Sequence, residues 1–370
     1  MAATTRKGVW DLQQVRDQYL AGEWEQQFEL WEWGYNNSGQ LGQNNRTSYS
    51  SPAQIPGVSW TTISGGYNHS LATKTDGTLW SWGANGLGAL GQNDRTYYSS
   101  PVQIPGTTWS SISGGQNYSL STKTDGTLWA WGYNLYGQLG QGDEISSSSP
   151  VQVPGTTWSS ISGGYYHSLA TKTDGTLWVW GYNFRGQLGQ NNRTNYSSPV
   201  QIPGNTWSSI SSGTNTSFAT KTDGTLWSWG RNQYGELGQN TTTYYSSPIQ
   251  IPGNTWSSIN ARQHSLATKT DGTLWAWGLN NTGQLGQNNT TSYSSPIQIP
   301  GNTWSSIGAG VHSLSTKTDG TLWSWGYNTY GQLGQNNTTR RSSPVQVPGT
   351  QWSSTSTNGS FSIAIKSLVQ

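Results

Sequence analysis

The chain of 370 residues has no cysteine, one methionine, four phenylalanines and only 9% charged residues. Each shortage excludes something. Without cysteine there is no disulfide, no thiolate metal centre and no cysteine nucleophile. So low a charge density is common in membrane proteins, yet no apolar run approaches the roughly 18 residues a spanning helix needs. A net charge of +2 creates no field able to hold a polyanion non-specifically, so nucleic acid is not an expected partner. Met1 to Gln14 lack an apolar core segment, so no secretory signal is expected. What the chain has in excess is 48 glycines, 23 tryptophans and 19 tyrosines. Preferring Trp and Tyr to Phe selects side chains that join apolar area to a hydrogen-bonding handle.

These residues are periodic. A Trp-Gly pair recurs at Trp33, Trp82, Trp131, Trp180, Trp229, Trp277 and Trp325, at spacings of 49 and then 48 residues. All 14 prolines fall two per unit, as at Pro101 and Pro105. A fixed period of 20–50 residues means a solenoid, a propeller or an array. Within one unit, Trp109–Ile112 and Tyr118–Lys123 alternate apolar and polar residues, and Asp125-Gly126 separates the second run from Leu128–Trp131. Asp-Gly between alternating runs is a strong hairpin signal, and it predicts a turn whose two central residues both take positive φ. Pro150–Val153 reads as a short fourth strand, placed at a sheet edge by its proline. Four antiparallel strands repeated seven times describe a propeller. The chain enters at Phe28–Trp33, matching the third strand, and leaves at Trp352–Lys366, matching the first two. Complementary half-units predict one composite blade that closes the ring and removes free edges. The expected fold is therefore all-β: a seven-bladed β-propeller of four-stranded antiparallel blades over residues 28–370, with a short N-terminal extension, 1–27.

The units resemble the regulator-of-chromosome-condensation repeat, itself a seven-bladed propeller family. The resemblance rests on Trp131-Gly132-x-Asn134-x-x-Gly137-Gln-Leu-Gly140, on His167-Ser-Leu-Ala170 and on Thr173-Asp174-Gly175. Kelch repeats share a period near 50 and Gly114-Gly115 is faintly similar to them, but the rest of their pattern is missing; WD repeats run to only about 40–45 residues. The resemblance implies a binding propeller. The family's founding members act as nucleotide-exchange factors with an inserted wedge and a basic N-terminal arm. Here no unit carries an insertion, and Arg6, Lys7 and Arg16 are offset by Asp11, Asp17, Glu23 and Glu25. Exchange activity is therefore not expected.

Comparing the units with one another separates fixed from variable positions. Trp, Gly, Pro, Leu and the Lys-Thr-Asp-Gly turn stay fixed. Variation falls in the link between first and second strands and in the long loop after the third. Alternating strands bring both to one face of the ring and the fixed turns to the other. Loops on a rigid scaffold commonly carry binding, so Tyr98, Tyr136, Tyr166, Tyr196, Tyr234 and Tyr245 are candidate contacts. Drift of tolerant loops after duplication is the competing explanation.

Signals for catalysis are few. His69, His167, His264 and His312 share one repeat position, held by Tyr118 and Thr216 in other units, and are expected to be structural, hydrogen-bonded inside their own blades. No carboxylates accompany them, so no metal or other cofactor is expected. The repeated aspartates, such as Asp125 and Asp174, belong to turn chemistry, and Asp143-Glu144 is not the opposed pair that glycoside hydrolysis requires. The chain reads as a non-enzyme.

In residues 1–27, Asp11–Leu20 fits a short helix with an apolar stripe of Leu12, Val15, Tyr19 and Leu20. Together with Trp10 and Trp24 these are the expected anchoring residues. Lys7 to Trp24 is similar to N-terminal segments of bacteriophage virion and tail proteins. The leading expectation is a phage virion or tail-associated propeller, held to an assembly partner by residues 1–27 and recognising host-surface carbohydrate or a neighbouring virion protein. The alternative is an intracellular, cytoplasmic protein-interaction propeller.

Overall fold

A computed structural model of the chain describes residues 27–368. The segment expected to anchor the protein, with Trp10, Leu12, Val15, Tyr19, Leu20 and Trp24, lies outside the described residues. Strands form seven four-stranded antiparallel sheets. Blade 1 comprises Trp60–Gly65, His69–Lys74, Leu79–Gly83 and Tyr98–Ile104, and blades 2 to 6 repeat that order along the chain. The remaining sheet is composite. Gln27–Gly34 lies between Phe361–Leu368 and Tyr49–Ile55, with Trp352–Ser356 innermost. Leu30 pairs with Ile365 and Trp33 with Ser362, so the two ends of the chain close the ring as the half-units predict. The fourth strand is longer than its proline suggests, running from Ser147 to Val153 in blade 2, with an irregularity in the pairing before Val151.

The Asp-Gly turns differ from expectation in one respect. Gly77 has φ +76°, but no aspartate of these turns has positive φ. The Gly77 amide donates to the Lys74 carbonyl and the Lys74 amide to the Thr78 carbonyl, so the loop is one residue longer than a two-residue hairpin turn. A tight turn followed by a left-handed glycine is the next commonest hairpin geometry. Asp76 is thereby freed to accept from the backbone amide and hydroxyl of Thr78, at 2.9 and 2.6 Å. Those bonds, the side-chain one foremost, hold its carboxyl below the usual range.

The cores lie between blades rather than within them. One cluster joins Leu30, Ile55, Phe361 and Ile363 of the composite blade to Trp60, Ala72 and Trp82 of blade 1. A repeated polar clasp accompanies this packing. The Gln138 carbonyl accepts from Trp180 Nε1 at 2.9 Å and from Ser168 Oγ at 2.8 Å, both of the following blade. The same pair of donors meets Gln187, Gln284 and Gln332. In a dry interface such bonds satisfy groups whose burial would otherwise be costly, and they fix the angle at which each sheet meets the next. The motif asparagine is also accounted for. Asn134 is fully buried; its Oδ1 accepts from the Leu139 amide while its Nδ2 donates to the Asp143 and Ile145 carbonyls. One carboxamide thus folds the long loop after the third strand.

Candidate functional site

The first-to-second strand links and the loops after the third strands meet on one face. Tyr166, from a link in blade 3, lies 5.5 Å from Tyr133 and 5.2 Å from Tyr136, both following the third strand of blade 2. Tyr136 also approaches Tyr182 at 4.8 Å, and Tyr165 packs against Tyr166 at 4.5 Å. Phe184 stacks beyond Tyr182 and is 55% exposed, as is Leu135 beside Tyr136. Blades 2 and 3 therefore carry a continuous aromatic patch with an apolar rim. Burial and the neighbouring phenols raise the Tyr166 hydroxyl above its ordinary pKa, so it stays a neutral donor.

The six candidate tyrosines separate into two groups. Tyr136 and Tyr166 are inside the patch, and Tyr234 stands apart beneath the Arg231 guanidinium at 5.2 Å. Tyr98, Tyr196 and Tyr245 instead begin outer strands. The Tyr98 hydroxyl donates to Asp94 at 2.7 Å, the Tyr196 hydroxyl accepts from Asn192, and Tyr245 packs on a buried cluster. Each is engaged within the fold, Tyr98 and Tyr196 through their hydroxyls and Tyr245 through its ring. A sequence signal partly distinguished the groups: these three align with Tyr49 and Tyr293 at one repeat position, whereas Tyr136 shares its position with only Tyr234 and Tyr330, and Tyr166 does not recur.

The histidines are buried and bond across blades, not inside them. His69 Nε2 lies 3.0 Å from Ser119 Oγ of blade 2, and His312 Nε2 lies 2.6 Å from Ser362 Oγ of the composite blade. Ring burial pulls His69 and His167 down to about pKa 4, and His264 and His312 to about 3. They are neutral at physiological pH and act as clasps. Blade 2 substitutes Tyr118, whose hydroxyl donates to the His167 carbonyl. Among the described residues no group of three or more His, Asp or Glu converges as metal ligands would.

Two arrangements were not read from sequence. On the ring axis, Ser64, Ser113, Ser162 and Ser211 line a polar channel, each hydroxyl accepting a backbone amide of the next blade. Arg262 of blade 5 crosses its mouth to lie over Tyr67 of blade 1, 5.3 Å from the ring centre. On the circumference, seven lysines each lie between two indoles. Lys74 Nζ is 4.6 Å from Trp60 and 4.8 Å from Trp80, and all seven lysines repeat this within 4.4–4.8 Å. The available signal was the fixed lysine itself, which the turn alone does not require.

Comparison with known proteins agrees with this geometry. Residues 24–262 match the RCC1-like domain, and residues 271–313 and 319–365 match the regulator of chromosome condensation (RCC1) repeat. No curated protein sequence matches the chain. Among solved structures, Prp20p of Saccharomyces cerevisiae is similar at 23% identity and a TM-score of 0.84, covering 93% of each chain; that structure was described with its binding to Gsp1p and histones. Yeast Prp20 also appears bound to Kap60, at 23% identity, TM-score 0.83, and 93% and 90% coverage. Human WBSCR16 is similar at 20% identity and a TM-score of 0.81, over 92% of this chain and all of that one. At such identities the likeness shows the fold.

Proposed function

Since this chain belongs to the RCC1-like family of propellers, we propose that it is a non-catalytic interaction propeller that binds a protein partner through the aromatic patch of blades 2 and 3. One observation carries the reading: near-identical units depart from one another where Tyr133, Tyr136, Tyr165, Tyr166, Tyr182 and Phe184 come together. Contiguous exposed apolar surface on a soluble ring marks contact sites, and clustered aromatic anchors supply most of the energy at protein interfaces. That yeast Prp20 binds Gsp1p, histones and Kap60 makes a protein partner the natural class here. The virion reading, with its host-surface carbohydrate at the tyrosine face, depended on residues 1–27; family membership favours the alternative instead. The test is affinity capture followed by a double change, Tyr136→Ser with Phe184→Ser. A partner held by the wild type is expected to be lost by the double variant and kept by Thr127→Ser on the opposite face. Equal capture by all three chains removes the patch from the reading.

A further inference from the structure

The seven lysines hold the most regular unexplained chemistry of the molecule. Each lies in a cleft where one blade meets the next. Three of these clefts, beside Lys74, Lys123 and Lys317, measure about 330, 360 and 410 Å³. Their walls repeat: an indole pair with its lysine, a proline from each of the two outer strands, and a carboxamide such as Gln43. The same residues stand at all seven junctions; one neighbouring asparagine is replaced by Gly142.

Two donors in five of the seven clefts point to a missing acceptor. Among the described residues no carboxylate comes within 4 Å of any of the seven ammonium groups, although the turn aspartates and Glu29 act on them from farther off. The indole N–H groups of Trp60, Trp109, Trp158, Trp256 and Trp352 are buried without a protein acceptor. At Trp207 and Trp304 the same group makes only long bonds to Pro203 and Pro300, at 3.3 and 3.2 Å. At four junctions both donors lie beside one glycine of the link between blades; beside Gly106, Gly204 and Gly301 only the indole comes that near. A Cβ placed on Gly155 would lie 3.6 Å from Lys172 Nζ and 3.7 Å from Trp158 Nε1. Gly57 and Gly253 show the same convergence within 3.7–3.9 Å. These glycines have φ near +100°, a backbone conformation that by itself calls for glycine.

We propose that each blade junction is a carboxylate site, and that the seven together hold an acidic polysaccharide whose sugar units each carry a carboxylate. One carboxylate oxygen takes the ammonium and the indole N–H, a charge-assisted pair stronger than neutral bonds. Proline faces and the edge of the outer indole receive the sugar ring, and the carboxamide meets its hydroxyls. Identical sites spaced around a ring call for an identical repeating ligand, which a polysaccharide supplies and an asymmetric folded protein does not. Each contact is weak alone; linked sites gain roughly 10²–10⁴ in avidity. The low net charge means that binding depends on these cradles rather than on a general positive field. This site lies on the circumference, away from the aromatic patch, and stands or falls independently of it.

The test uses the full-length chain and its own tryptophan fluorescence, titrated with polygalacturonate, its methyl ester, galacturonic acid and dextran sulfate. Polygalacturonate is expected to bind at least about 100-fold more tightly than the monomer, and the methyl ester not at all. The triple change Lys123→Met, Lys172→Met, Lys221→Met keeps the stems against the indoles and is expected to weaken binding at least tenfold. Arg340→Gln with Arg341→Gln is expected to leave it unchanged. Equal binding of the ester, silence with polygalacturonate, or equal binding of dextran sulfate by wild type and triple lysine variant overturns the proposal. If the triple variant does not fold, the comparison of acid with ester in the wild type still decides.

Discussion

Glu32 occupies a position that the repeat elsewhere gives to Ser81, Ala130, Val179, Ser228, Ala276 and Ser324. It is fully buried, with one oxygen 3.3 Å from Trp82 Nε1 and the other without a protein partner. Burial pushes its carboxyl well above the usual range. The folded state therefore holds a proton that the unfolded state releases near pH 4.3, and stability from this group falls as pH rises between those two values. Glu32→Gln keeps the shape and the acceptor for Trp82. It is expected to raise the melting temperature at pH 7 by about 2 °C or more and to leave it unchanged at pH 4, as scanning calorimetry would read. An unaltered melting temperature at pH 7 counts against a buried acid there.

The histidines pull the other way. Their folded values near 3 and 4 lie below the unfolded value near 6.5. Below pH 6.5 the unfolded chain takes up protons that the folded one refuses, so stability is lost as pH falls toward 4. Four such groups outweigh one glutamate, and the urea midpoint is expected to drop between pH 7 and pH 5. Replacing His167 with Thr, the residue that blade 4 carries as Thr216, should flatten part of that slope. A slope identical to wild type would mean that His167 titrates normally.

At the scale of the element, the long loop after each third strand depends on one asparagine. Asn134→Ala removes the acceptor for Leu139 and the donors to Asp143 and Ile145, leaving the buried Leu139 amide unsatisfied and releasing two carbonyls of exposed loop residues. At about 1–3 kcal/mol for one buried unsatisfied group, a loss of roughly 1–3 kcal/mol is expected in urea unfolding. The equivalent change at Asn183 should cost the same, because its bonds repeat those of Asn134. Clearly unequal costs would show that the blades do not share one loop energetics. The strands and their order were legible from period-2 alternation and turn residues, because both are local properties. The turn was misjudged because Asp-Gly suits two hairpin geometries. What separates them is whether the aspartate closes on Thr78, and that bond exists only once the loop has formed.

For the whole molecule, closure depends on the C-terminal strand. Removing residues 356–370 strips Phe361–Leu368 from between Trp352–Ser356 and Gln27–Gly34, exposing a strand edge beside a tryptophan-rich core. Soluble yield and cooperative melting are expected to collapse together. A truncated chain melting at the wild-type temperature would show that closure is not needed. The number of blades, the composite seam and the family were settled by sequence, since repetition at a fixed period is visible without any contact. The tertiary structure alone decided which fixed residues meet across blades: His69 with Ser119, and Trp180 and Ser168 with the Gln138 carbonyl. It also sorted the six candidate tyrosines, gathering Tyr136 and Tyr166 while committing Tyr98, Tyr196 and Tyr245 to the fold. Those partners are separated by up to a full repeat of chain, and only the angle between adjacent sheets determines which of them come within reach.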